Sequence, residues 1–254
     1  MEKTIITLGK FFFKYRNALF PLVYLGLLVL TRPALFLGNA RLDRYVCALG
    51  VLLTVAGQAL RVLVIGFAYI IRGGRDGKVY AESLVQSGFY AHSRNPMYVG
   101  NYLMMVGFVL LYGSLWGYVL VLPFFTLVYY AIVKTEEGFL REKFGREYDE
   151  YSARVNRFIP SVRGLQQSLQ SYRYDWRKVL QKEYGTITLL LCGILLVLVW
   201  KEIALFGPER VRREIWVLAL MLIPILVFYG TVRYLKKSGR LERARLANQH
   251  AVNP

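Results

Sequence analysis

Two polar blocks, separated by an apolar segment, carry the residues of this chain whose types could do chemistry. The first block ends in Arg94–Tyr98, and the second contains Glu136 and Glu137. A guanidinium, an amide side chain and the N–H groups of a helix start together favour an anionic group such as a carboxylate. Adjacent carboxylates can receive a cationic amine or hydroxyl groups. Helix capping or a solvated helix turn would also explain either block alone, so the pairing of the two is the informative feature.

Long apolar segments must position these blocks. Of the 254 residues, 56% are hydrophobic, and the mean hydropathy is +0.36. This is too apolar for an ordinary soluble domain, and the apolar residues fall in blocks of membrane-spanning length. The sequence therefore predicts an all-α fold, a polytopic membrane bundle of about six transmembrane helices. The candidate helices are Ala18–Leu37, Val46–Ile71, Met97–Tyr112, Leu115–Val133, Thr186–Leu205 and Ile215–Tyr234.

The third and fourth helices are expected to form a hairpin. Gly113-Ser114 is typical of a tight turn, and Pro96 suits the first turn of the third helix, where its missing N–H costs nothing. The third helix is short, roughly 24 Å at 1.5 Å per residue. A hairpin of this kind returns Glu136 and Glu137 to the end that holds Arg94, which predicts a ligand pocket there. The sequence predicts no strand and has no phosphate loop after one, so it argues against a Rossmann-type nucleotide site.

The net charge of +17 would suggest nucleic acid in a soluble protein. Here the cations flank apolar helices, so the positive-inside rule explains them without a nucleic-acid partner. With both termini cytosolic, the inside segments are 1–17, 72–96, 134–185 and 235–254, and these hold most of the lysines and arginines. The first apolar run lacks a small-residue cleavage site and is interpreted as a retained helix. The active site is expected to face the cytosol, and the basic inner face to attract anionic lipids.

Arg61 lies within the second apolar helix. A guanidinium in the hydrocarbon region costs about 2.5–3.5 kcal/mol on insertion scales. It therefore either faces a partner or a water-filled cavity, or extends to the interface. No group of His, Cys and carboxylates has metal-ligand spacing, so no metal is expected. The two histidines, His92 and His250, have no partner arranged for nucleophilic catalysis.

The segment after the fourth helix reads as an amphipathic helix over residues 134–160. Apolar and aromatic residues recur there at helical spacing, namely Phe139, Leu140, Phe144, Tyr148 and Tyr151. Residues 161–185 suit an interfacial linker. Three parts are predicted: an N-terminal membrane helix and loop (1–45), a core holding the polar blocks (46–160), and a linker with a two-helix membrane hairpin (161–254).

Taken together, the blocks resemble the integral-membrane methyltransferases of the isoprenylcysteine carboxyl methyltransferase and phospholipid methyltransferase family. The resemblance covers roughly residues 45–160. The matching residues of the first block are Ser87, Gly88, Tyr90, Arg94, Asn95, Pro96, Tyr98 and Gly100. Those after the hairpin are Glu136, Glu137, Leu140, Phe144, Gly145, Tyr148, Tyr151, Val155, Arg157 and Pro160.

The resemblance implies an S-adenosylmethionine pocket at the cytosolic end of the bundle. The cofactor-binding residues it implies are Tyr90, Arg94, Asn95, Pro96, Tyr98, Gly100, Glu136 and Glu137. The family also carries a Leu-Arg pair near the acceptor, which Leu60-Arg61 matches, so Arg61 and Glu137 are the candidate catalytic residues. The eukaryotic prenylcysteine enzymes have His where this chain has Asn95, which puts any imidazole role there in doubt.

The implied reaction is methyl transfer to a membrane-embedded lipid or lipid-modified acceptor. An amine acceptor must lose a proton, and Glu136 or Glu137 could assist; a carboxylate acceptor needs no base, and Arg61 would orient it. A membrane reductase of the sterol-reductase type is an alternative, although Met97 occupies the position where its motif has Asn. A transporter would need polar residues along several helices, and a non-catalytic scaffold would leave the paired blocks unexplained.

Overall fold

A computed structural model describes residues 2–67, 72–75, 78–81, 83–170 and 174–242. The chain divides into two compact units, Met1–Arg173 and Tyr174–Pro254. The first unit contains α1 (Glu2–Leu30), α2 (Ala40–Phe67), β1 (Arg72–Arg75), β2 (Lys78–Ala81), α3 (Pro96–Tyr112), α4 (Leu122–Phe144), α5 (Arg146–Arg154) and α6 (Leu165–Gln170). The second unit contains α7 (Trp176–Phe206) and α8 (Pro208–Lys237). The predicted three-part division of the chain stays a prediction.

The helices confirm a polytopic membrane protein. Within the described residues, five are long and apolar enough to cross a bilayer: Thr4–Leu30, Ala40–Phe67, Gly117–Phe144, Trp176–Phe206 and Trp216–Lys237. The sixth apolar helix, α3, has 17 residues and is short for a span, as the sequence predicts. Gly113 ends α3 in the left-handed conformation at φ 71°, which confirms the predicted turn into the following helix.

The first predicted helix was wrong at both ends. It begins at Glu2 rather than Ala18 and ends at Leu30 rather than Leu37. Its early end has a physical cause, since Pro33 follows shortly and disfavours the helical conformation of the residue before it. Residues 2–17 are therefore helix, which places Arg16 about 21 Å along the axis from Glu2.

The fourth helix also extends further than predicted. It runs beyond Val133 to Phe144, so Glu136 and Glu137 lie inside α4 rather than after it. Hydropathy falls at Lys134, but lysine and glutamate are good helix formers and the helix continues. The predicted amphipathic helix over 134–160 is broken at Gly145, which has φ 51°, and resumes as α5.

The prediction of no strand was also wrong, because β1 and β2 form a short antiparallel hairpin with Arg72 opposite Ala81. Strands of only four residues are too short to show an alternation of apolar and polar residues in the sequence. The predicted end of the second helix at 68–71, the turn residues 76–77 and His250 lie outside the described residues.

Glycines set the close approach of α2 and α3. A Cβ on Gly57 would lie 2.4 Å from the carbonyl oxygen of Gly100, and a Cβ on Gly107 would lie 2.5 Å from that of Gly50. These pairs are seven residues apart on each helix, so one small-residue stripe faces another. Direct backbone contact of this kind is a common way to pack helices in a membrane.

The first and fourth helices pack just as closely beside the acid pair. A Cβ on Gly9 would lie 2.2 Å from the carbonyl oxygen of Ala131, and Thr135 Oγ1 donates to the carbonyl oxygen of Ile6 at 3.2 Å. Further along, Phe13 of α1 packs with Val128 and Ile132 of α4 in a buried cluster. This contact fixes α1 against the face of α4 that leads to Glu136.

A second cluster holds α4, α5 and β2 together. It consists of Ala81, Leu140, Tyr148 and Tyr151, all buried. The helical spacing of Leu140, Tyr148 and Tyr151 was visible in the sequence, and these residues do share one apolar face despite the break at Gly145.

In the second unit α7 and α8 pack against each other. Asp175 caps α7 by accepting a hydrogen bond from the Lys178 N–H at 3.0 Å, as N-terminal aspartates commonly do. The rings of Tyr184 and Tyr229 stack with centroids 5.5 Å apart. The two helices therefore form the membrane hairpin that the sequence predicts.

Candidate functional site

The structure brings the two polar blocks into direct contact at one end of the first unit. Arg94 Nη2 lies 3.4 Å from Glu137 Oε1, and the Tyr98 hydroxyl donates to Glu136 Oε1. Arg94 lies two residues before the start of α3, and both acids lie on α4. The predicted hairpin geometry, with its two blocks side by side, is therefore present.

Glu137 is the centre of a compact polar cluster. Its Oε2 accepts from Arg157 Nε at 2.9 Å, and its Oε1 accepts from Asn95 Nδ2 at 3.3 Å. The carboxylate is 8% exposed and the Arg94 side chain 12%. A buried carboxylate needs this degree of pairing, because an isolated charge in a low-dielectric site is costly.

The same cluster carries an excess of positive charge and unused polar atoms. Arg94 and Arg157 face the single carboxylate of Glu137. Arg94 Nε and Asn95 Oδ1 are buried with no hydrogen-bond partner among the described residues. Buried polar groups are normally satisfied, so these two atoms mark a place for a polar ligand. Arg94 Nε can donate to an anionic group, and Asn95 Oδ1 can accept from a donor group.

Residues 156–161 hold the first block from the other side through backbone contacts. Arg94 N–H donates to the Asn156 carbonyl at 2.9 Å, and Ser161 N–H donates to the His92 carbonyl at 3.0 Å. Ser93 Oγ donates to the Phe158 carbonyl at 3.1 Å. We call residues 156–161 the strap. Sequence reasoning missed the strap's role, since backbone hydrogen bonds outside regular elements leave no periodic signal.

His92 is anchored against the segment that follows the strap. Its Nδ1 lies 2.7 Å from the Ser161 carbonyl oxygen, and its Nε2 lies 2.9 Å from Ser168 Oγ. The histidine is buried. It therefore ties α6 to the first block.

Glu136 serves a different face of α4 from Glu137. Consecutive residues of a helix point about 100° apart, because 3.6 residues make a turn. Glu136 therefore faces α1 and α3, where Tyr98 donates to it and Arg16 Nη1 donates to the Tyr98 hydroxyl at 3.1 Å. From the sequence, Arg16 was grouped only with the other cations of the predicted cytosolic segment 1–17. Its position deep within the first helix is the signal that could have identified it as a site residue.

Arg61 points from α2 to α3. Its Nη1 donates to Asn101 Oδ1, and a Cβ on Gly100 would lie 2.8 Å from Arg61 Cγ. Asn101 lies five residues beyond Pro96, roughly 8 Å along α3. Of the two alternatives left open by the sequence, the structure favours a guanidinium that faces a partner.

The remaining predicted site residues shape the backbone. Pro96 starts α3, and the Tyr90 carbonyl accepts from the Tyr151 hydroxyl at 2.7 Å. Gly100 lies at the contact between α2 and α3, where a Cβ would be 2.7 Å from the Gly57 carbonyl oxygen. The cofactor-binding roles of these three residues stay predictions.

The part of the chain that carries the two polar blocks is similar to a family of methyltransferases. Residues 45–147 match the phospholipid methyltransferase family. This match covers less than half of the 254-residue chain. It includes Arg61, the first block, the hairpin and both acids, whereas α1 and the strap lie outside it.

Curated proteins are also similar to this chain. The chain is 28% identical over 127 residues to the probable protein-S-isoprenylcysteine O-methyltransferase of Oryza sativa subsp. indica, covering 46% of this chain and 63% of that protein. It is 29% identical over 159 residues to the protein-S-isoprenylcysteine O-methyltransferase of Schizosaccharomyces pombe, covering 61% of each.

A differently named protein is also similar to this chain. The cobalt-zinc-cadmium resistance protein of Cupriavidus metallidurans is 31% identical over 130 residues, covering 51% of this chain and 58% of that protein. Among the described residues of the present chain, no three His, Cys, Asp or Glu side chains are grouped to hold a metal. The chain thus spans less than two thirds of the length of these relatives, and no solved structure matches it.

Proposed function

We propose that this protein transfers a methyl group from S-adenosylmethionine to a membrane-embedded lipid or lipid-modified acceptor. The observation that carries the proposal is the cluster of Arg94, Asn95, Glu137 and Arg157. Two buried polar atoms of this cluster have no hydrogen-bond partner among the described residues. The family match supports methyl transfer over the reductase, transporter and scaffold alternatives.

The chemistry of the cluster fits the methionine end of this cofactor. Arg94 has Nε available to an anionic carboxylate, and its guanidinium stands at the start of α3, where the helix dipole also favours negative charge. Asn95 Oδ1 can accept from a cationic amine. S-adenosylmethionine supplies an already activated methyl group, so the tasks left to the protein are positioning and exclusion of water.

Glu137 then acts by holding the arginines. Both of its oxygens are engaged, by Arg94 and Asn95 on one side and by Arg157 on the other. These contacts commit both oxygens of the carboxylate to fixing the neighbouring side chains. Its contacts favour a positioning role over the catalytic one predicted from the sequence.

Arg61 is the residue proposed to act on the acceptor. It lies within a membrane-spanning helix and turns toward α3, so it can contact a molecule that enters from the lipid side. A guanidinium would orient the acceptor by hydrogen bonding. In the proposed topology the Arg94 end faces the cytosol, from which the water-soluble cofactor enters.

The test uses purified protein in detergent with S-adenosylhomocysteine, followed by methyl-labelled S-adenosylmethionine with total membrane lipid. We expect thermal protection by S-adenosylhomocysteine but not by NADPH, and label in the lipid fraction. Arg94→Ala should abolish protection, and Arg61→Ala should retain protection but lose turnover.

Arg146→Ala is the matched control, since that side chain is 92% exposed and pairs only at the surface with Glu150. It should behave like the wild type. Protection by NADPH instead, or full protection of Arg94→Ala, would overturn the proposed pocket.

A further inference from the structure

The first helix contributes a charged residue to the site, although it lies outside the region that matches the family. Arg16 belongs to the candidate span Thr4–Leu30. Its Nη1 donates a hydrogen bond to the Tyr98 hydroxyl oxygen, and that hydroxyl in turn donates a hydrogen bond to Glu136. Arg16 and Glu136 are thus both hydrogen-bonded to the same oxygen atom.

The direction of these two hydrogen bonds is fixed by chemistry. A guanidinium can only donate hydrogen bonds, and an ionised carboxylate can only accept them. The tyrosine hydroxyl between them has a single hydrogen, which it donates in the hydrogen bond to Glu136. Arg16 therefore contacts a lone pair of the hydroxyl oxygen. A donor to that lone pair makes the hydroxyl a stronger donor to Glu136, because hydrogen bonds in a chain polarise one another.

Packing holds the guanidinium of Arg16 in place. It lies over the ring of Phe13, 4.2 Å from the ring centroid, and Phe13 is 4% exposed within the cluster that joins α1 to α4. Tyr98 packs against the same cluster. The cation and the tyrosine are therefore set by one rigid contact between helices.

The register of α1 against α4 is equally constrained. Gly9 lies against Thr135, with Thr135 Oγ1 only 2.1 Å from where a Cβ would stand. Thr135 directly precedes Glu136. A movement of α1 along α4 would break this contact and the contact of Arg16 with Tyr98 together.

We propose that Arg16 is a positioning residue of the site, acting on Glu136 through the Tyr98 hydroxyl. This inference rests on the proposed function and on the family resemblance, which implies that Glu136 lines the cofactor pocket. On this proposal α1 supplies a positioning residue of the site in addition to spanning the membrane.

The experiment is a double-mutant cycle measured by S-adenosylhomocysteine binding to the full chain in detergent. Arg16→Gln and Tyr98→Phe should each weaken binding by about tenfold. Since both break the same chain of bonds, the double variant should be weakened little further than either single one, rather than about a hundredfold. Arg16→Lys, which keeps a donor cation, should recover part of the affinity.

Lys14→Gln is the matched control, because it removes one cation from an exposed position of the same helix. It should bind like the wild type. Arg16→Gln binding like Lys14→Gln, or additive losses in the double variant, would overturn the role of Arg16. A wild type that fails to bind S-adenosylhomocysteine at all would instead refute the proposed function.

Discussion

Glu136 and Glu137 are adjacent in the chain but have different partners. The helical rotation between them turns Glu137 toward Arg94 and Arg157, and Glu136 toward Tyr98. A pair of acids that looks like one feature in the sequence is therefore two features in the structure. Glu137 pairs with the two arginines of the cluster, and Glu136 is connected to Arg16 of α1 through the Tyr98 hydroxyl.

The role of Glu137 can be tested by removing its charge while keeping its shape. Glu137→Gln leaves Arg94 and Arg157 facing each other without a counter-charge. Breaking a buried pair in this way is strongly destabilising, and the 30% exposure of Arg157 reduces the effect. We expect a loss of about 2–3 kcal/mol, seen as a Tm lower by roughly 5–10 °C in detergent.

Glu150→Gln is its control, since Glu150 pairs with Arg146 at an exposed surface. Such pairs contribute about 0–1 kcal/mol, so its Tm should stay near that of the wild type. Equal Tm values for the two variants would show that Glu137 is not the electrostatic centre of the cluster.

At the scale of elements, the sequence predicted what depends on apolar periodicity. Six apolar helices, the turn at Gly113 and the shared face of Tyr148 and Tyr151 all follow from pattern. Hydropathy shows where each span loses its apolar character but not where each helix ends. The predicted first and fourth helices were therefore shorter than α1 and α4. The backbone contacts of the strap could not be predicted, because they are made by groups that every residue carries.

The glycine stripe between α2 and α3 is an element-scale feature that can be tested away from the polar cluster. Gly107→Ala would place a Cβ 2.2 Å from Thr54 Oγ1 and 2.5 Å from the Gly50 carbonyl oxygen. Because backbone cannot yield, the helices must separate, at a cost of about 2 kcal/mol or more. Thermal unfolding in detergent should show a lower Tm.

Gly26→Ala provides the comparison, since a Cβ there meets nothing within 4 Å. Alanine is the better helix former, so this variant should be as stable as the wild type or slightly more stable. A Gly107→Ala protein that also gained stability would mean that α2 and α3 are not in backbone contact.

At the scale of the whole molecule, the first unit has two distinct ends. The Ala34 N–H donates to the Gly113 carbonyl at 2.8 Å, so the loop after α1 and the turn after α3 share one end. The polar cluster and the strap share the other. Most of the described cations outside the spans lie at the cluster end, including Arg94, Arg154, Arg157 and Arg163. On the positive-inside rule, we propose that the cluster faces the cytosol.

This orientation predicts opposite labelling of two engineered cysteines in intact cells. Cys47 and Cys192 are first replaced by alanine, and then Ala40→Cys or Ser83→Cys is introduced at an exposed position of each end. A membrane-impermeant maleimide should label Ala40→Cys in intact cells and Ser83→Cys only after permeabilisation. The reverse pattern would place the cluster on the non-cytosolic side of the membrane. That result would contradict the proposed entry of the methyl donor from the cytosol. Labelling of both in intact cells would mean that the chain between them does not cross the bilayer, which contradicts a spanning α2.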